Sequence, residues 1–113
     1  LLAAPAWAAD VAGTYRVKGW NPGAAANAAP GYGGTLAVTK QAEGYVFVWT
    51  VGNSVTKGVG FLKQIGGKPW LAASYANNGQ AASVLYEVAA DGKTLKGEWV
   101  GEGCRIGREE ATR

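Results

Sequence analysis

An all-β fold, closed as an eight-stranded antiparallel up-and-down (meander) β-barrel, is what this sequence predicts, and three features predict it. Glycine, Asn-Gly and Asp-Gly punctuate the chain about every ten residues. Between them lie short β-branched and aromatic runs whose apolar positions alternate with a period of two. Helical periodicity is sustained nowhere: the one Ala-rich stretch, 24–29, sits between Pro22-Gly23 and Pro30-Gly31, which mark it as a loop.

The strands are expected at 13–20, 32–41, 44–51, 54–65, 68–76, 80–90, 93–100 and 104–110. In the first, Tyr15 and Val17 set an alternation that turns Trp20 outward unless Gly19 is a bulge. The second opposes Tyr32, Gly34, Leu36 and Val38 to Gly33, Thr35, Ala37 and Thr39, and the third gathers Tyr45, Phe47, Trp49 and Val51 on its inner face. The fourth carries Gly58 and Gly60, and Gly34, Gly97 and Gly107 lie within other strands. Such glycines imply bends at barrel corners or close packing beneath an aromatic ring. The fifth sets Leu71, Ala73 and Tyr75 against Trp70, Ala72 and Ser74, and the sixth sets Val84, Tyr86 and Val88 against Ser83, Leu85 and Glu87. Leu95, Gly97 and Trp99 share a face of the seventh, and on the eighth the adjacent Glu109 and Glu110 point to opposite faces. Every connection but the first is a tight hairpin, so consecutive strands pair, and closure removes the two edges that eight such strands would leave exposed.

Composition narrows the chemistry. The chain has 113 residues, 48% hydrophobic and 17% charged, with 18 Gly, a single Cys and no His or Met. It is long enough for one domain. Without histidine it offers no Ser–His or Cys–His pair and no Cys/His zinc cluster, so no catalytic residue, metal ligand or cofactor is expected. Of the carboxylates, Glu87 and Glu98 fall on outer faces, and only one buried in the barrel would be left as a lone base. Eleven Lys and Arg against eight Asp and Glu give a formal charge of +3, spread along the chain without a basic run; nucleic acid is not an expected partner.

Leu1-Leu2-Ala3-Ala4 resembles the tail of an apolar signal segment, and Ala6-Trp7-Ala8 has the small-x-small form of a cleavage site. Residues 1–8 are therefore expected to be the remnant of a secretory signal cleaved near Ala8, and 9–113 a single barrel domain that is periplasmic or secreted from a bacterium. The alternative is an unstructured apolar tail. No stretch reaches the roughly 20 apolar residues of a membrane helix.

Meander topology places loops 21–31, 52–53, 77–79 and 101–103 at one end. Trp20, Tyr32, Trp49, Tyr75 and Trp99 all fall near that end, where their apolar bodies and polar handles suit an apolar or aromatic small molecule, with loop 21–31 as a cover. The other reading is that these rings plug the interior, because eight strands leave little room beyond side chains. The working surface would then be a loop or the outer face of the third strand, as in an exported enzyme inhibitor or an assembly subunit. That face carries the apolar Val46 and Val48, expected to form a homodimer contact, unless they are ordinary surface valines. Cys104 is expected to be a small buried residue or a thiol that pairs with another chain.

An exported eight-stranded meander with a long first loop and tryptophan at the open end is similar to the calycin group of lipocalins and avidins. That group begins its first strand with Gly-x-Trp; here Gly13-Thr14-Tyr15 stands in its place. The resemblance implies ligand binding inside the barrel, and a basic residue of the last strand, Arg105 or Arg108, packed over the Tyr15 ring. Biotin contacts of the avidins have no residue-by-residue counterpart here.

Overall fold

The computed structural model describes residues 10–113, so the expected signal remnant and its cleavage near Ala8 lie outside the described residues. Eight strands follow in chain order: β1 (Gly13–Trp20), β2 (Tyr32–Gln41), β3 (Gly44–Val51), β4 (Ser54–Ile65), β5 (Lys68–Asn77), β6 (Gln80–Val88), β7 (Thr94–Val100) and β8 (Ile106–Thr112). Each pairs antiparallel with the next, and β1 returns to pair with β8, which closes the expected meander barrel. The largest boundary difference is in β8. Cys104 takes a φ of 54° and its N–H bonds Gly101 O at 3.0 Å, a turn that delays the strand. Thr112 still pairs with Arg16 on one side and Thr94 on the other, which carries β8 beyond residue 110.

Inward alternation fills the lower part of the barrel. Tyr15, Leu36, Phe47, Leu71, Tyr86 and Leu95 are fully buried and pack with Val17, Val38, Val88 and Ala111 in one cluster. Val11, ahead of β1, joins this cluster, and the Tyr15 hydroxyl donates to its carbonyl at 2.6 Å. Residues 10–12 thereby plug the end of the barrel where the 42–43, 66–67 and 89–93 turns lie. Arg113 fastens the plug. Its guanidinium lies 5.2 Å from the Tyr15 ring centroid and donates to the carbonyls of Ala12, Asp10 and Gly92. The basic residue over Tyr15 is thus Arg113, not Arg105 or Arg108. Continued pairing of β8 through Thr112 delivers Arg113 to the base of β1.

Arg113→Lys is expected to lower stability by about 1–3 kcal/mol, because an ammonium cannot hold three divergent carbonyls with a planar fork while covering a ring. Denaturant midpoints of the two proteins measure this, and equal midpoints would show that the clasp contributes nothing.

Candidate functional site

One cross-strand row organises the open end. Reading around the barrel, Tyr32 on β2 faces Gly19 on β1, Gly19 faces Glu109 on β8, Glu109 faces Gly97 on β7, and Gly97 faces Tyr86 on β6. The glycines make the row work. A Cβ at Gly19 would fall inside the Tyr32 ring, and one at Gly97 would meet the Tyr86 ring at 2.6 Å, so each ring lies flat across its neighbouring strand and reaches the strand beyond. Both hydroxyls converge on Glu109 from opposite sides. Tyr32 donates to Oε1 at 2.8 Å and Tyr86 donates to Oε2.

Trp49 adds a third donor from across the barrel. Its Nε1–H is shared between the Tyr86 oxygen at 3.0 Å and Glu109 Oε2 at 3.2 Å. Glu109 is 7% exposed, the one charged residue buried among those described. The ion pairs among the described residues, Lys18–Glu110 at 3.5 Å and Lys68–Glu87 at 3.3 Å, do not include it. Its charge is held by neutral donors alone. Burial first, and the Glu109 charge second, push the phenols of Tyr32, Tyr86 and Tyr75 above the usual tyrosine value, so all three keep their protons.

Above this floor lies a cavity of about 450 Å³, lined by Tyr32, Trp49, Tyr75, Trp99, Tyr86 and Glu109, with Asn21, Asn77, Gln80 and Glu102 among its polar wall residues. Trp49 stacks on Phe47 with centroids 5.5 Å apart and leans on Tyr75 at 4.8 Å, which ties the cavity wall to the packed core. Trp99 lies over Gly107, where a Cβ would clash with the indole. Among the described residues no three His, Cys, Asp or Glu side chains assemble as a metal site.

Four of the five aromatic residues expected at the mouth, Tyr32, Trp49, Tyr75 and Trp99, line this cavity; Trp20 does not. The β1 register runs through Gly19 without a bulge, so alternation turns Trp20 to the outer wall, opposite Arg108. Its Nε1–H donates to Ala28 O at 2.8 Å, the Arg108 guanidinium lies 4.8 Å from its ring, and Arg108 also donates to Ala25 O. Loop 21–31 is therefore fastened to the outside of the barrel over Trp20.

Sequence reasoning missed Glu109 and the role of Tyr86. The signal was present: of the adjacent carboxylates 109 and 110 one had to face inward, and Gly107, Glu109 and Ala111 are the buried positions of β8. Cys104 is exposed in the turn before β8, not buried.

A second concavity, about 1090 Å³, is lined mainly by β4–β8 and by Trp20 of β1, and shares Val84, Trp99 and Glu109 with the first. Val59 and Phe61 on β4, Leu85 on β6 and Ile106 on β8 stand 44–63% exposed along it. Val46 faces Val59 at one edge of this apolar wall, whereas Val48 faces Lys57. Comparison with models of known protein families and with curated protein sequences yields no match.

All five tyrosines have raised phenol values, each chiefly through burial. Their contribution to stability is full below the unfolded value of about 10 and is lost as pH rises beyond it, since the unfolded chain releases protons that the barrel retains. Phenolate absorbance is expected to stay silent near pH ~10 and then to rise cooperatively, together with loss of near-ultraviolet circular dichroism. A separate phenolate step with the barrel intact would contradict the burial that raises these phenols.

Proposed function

We propose that this chain is an exported, calycin-like small-molecule-binding protein that holds an apolar or aromatic ligand at the open end of its barrel, with Tyr32, Trp49, Tyr75 and Trp99 as contacts. The observation that carries this reading is the convergence of those four rings on one concavity above a packed floor. Its volume of about 450 Å³ falls within the ~300–1,000 Å³ of small-molecule sites. The closed meander and the Arg113–Tyr15 contact at the opposite end support the calycin likeness. Binding fits better than catalysis. With no histidine in the chain, the hydroxyls of the cavity have no imidazole to activate them, and the buried carboxylate is already engaged by three donors.

A neutral hydrophobic probe, N-phenyl-1-naphthylamine, is expected to bind saturably and perturb tryptophan emission. Trp99→Ala should weaken it several-fold while the barrel stays folded. If no probe binds and Trp99→Ala instead costs stability on the order of 3–5 kcal/mol, the ring is core and the reading fails.

The outer apolar wall favours a second reading, a homodimer contact. Phe61, Ala72 and Leu85 form one cross-strand row on this wall, beside another that carries Lys63, Glu87, Lys96 and Glu110. An apolar centre edged by both signs of charge suits a two-fold contact between identical faces. Val46 extends that wall, and the dimer contact expected at β3 moves toward β4–β6. Native mass spectrometry should then give a dimer that Leu85→Asp converts to a monomer; a monomeric wild-type protein removes this reading.

A further inference from the structure

We infer that the ligand of the mouth cavity is an organic monocation, an amine or quaternary ammonium on an apolar or aromatic body, seated with its charged end toward Glu109. This rests on the mouth-binding reading above and names its ligand class.

The charge distribution carries it. The chain has eleven Lys and Arg against eight Asp and Glu, yet none of the eleven lines the cavity. Two carboxylates do: Glu102 and, at the floor, the buried Glu109. A basic protein has thus turned a purely acidic cavity to its open end. Tyr32, Tyr86 and Trp49 fill three of the roughly four acceptor positions of the Glu109 carboxylate and bring no positive charge.

Ligand entry then discriminates by charge. A neutral apolar molecule expels water from around Glu109 and leaves an ion desolvated without a counter-charge, which is penalised. An anion adds repulsion. A cation replaces the lost solvation, and the half-buried rings of Tyr75 and Trp99 in the cavity wall carry quadrupoles that attract positive charge. A bare metal ion finds no set of three ligating groups among the described residues, whereas an organic cation needs only one carboxylate and the aromatic wall.

Three probes of matched shape test this by calorimetry and tryptophan emission: benzyltrimethylammonium, its neutral isostere neopentylbenzene, and phenylacetate. The ammonium is expected to bind about tenfold or more tighter than the neutral isostere, with the anion weakest. Glu109→Gln, checked for folding by near-ultraviolet circular dichroism, should erase the preference for the cation. The wild-type comparison stands alone if that variant does not fold. Equal or tighter binding of neopentylbenzene overturns the charge inference and leaves an apolar-ligand site standing. A preference that survives Glu109→Gln removes Glu109 as its source and overturns the inference. No binding by any of the three overturns the mouth-binding reading as well.

Discussion

The β1–β8 ladder closes the sheet, and the open-end site depends on that closure. It sets Glu109 directly opposite Gly19 on one side, while the β7–β8 ladder sets it opposite Gly97 on the other. Two missing side chains then let Tyr32 and Tyr86 reach over their neighbouring strands to the same carboxylate. Strands lie about 4.8 Å apart, so a phenol spanning one intervening strand is long enough only if nothing projects from that strand. With a side chain at either glycine the hydroxyl would be displaced, and a buried charge would lose a donor.

The same row divides the interior. Below it, Phe47, Leu36, Leu71 and Leu95 are packed without exposure, and Val11 with Arg113 seals the end. Above it the walls remain aromatic while the centre is open. The two readings left by the sequence, a filled barrel and an open one, thus describe different levels of one barrel. A polar floor separates them, because a carboxylate cannot be buried among leucines without donors, and the donors here sit on the large rings of Tyr32, Tyr86 and Trp49.

The outer wall obeys different rules. Trp20, one residue beyond Gly19, faces away from the cavity and anchors loop 21–31 to the barrel exterior through its indole N–H and Arg108. Adjacent residues of one strand thereby serve opposite sides: Gly19 makes room for the site and Trp20 secures the loop that follows it. The apolar row through Phe61 and Leu85 is likewise a property of the exterior.

Strand positions, meander order, the inner faces of β2, β3 and β6 and the convergence of four aromatic residues were all legible in the sequence. Each is local, set by period-two alternation and by turn residues that interrupt it. What alternation alone does not contain is register, the number of residues by which one strand slides against the next. That number decided that Glu109 meets Gly19 and Gly97, that Arg113 and not Arg105 or Arg108 covers Tyr15, and that Trp20 lies against Arg108. Register is a property of pairs of strands, and β1 and β8 are the first and last strands of the barrel, far apart in sequence. Only closing the barrel brings them together.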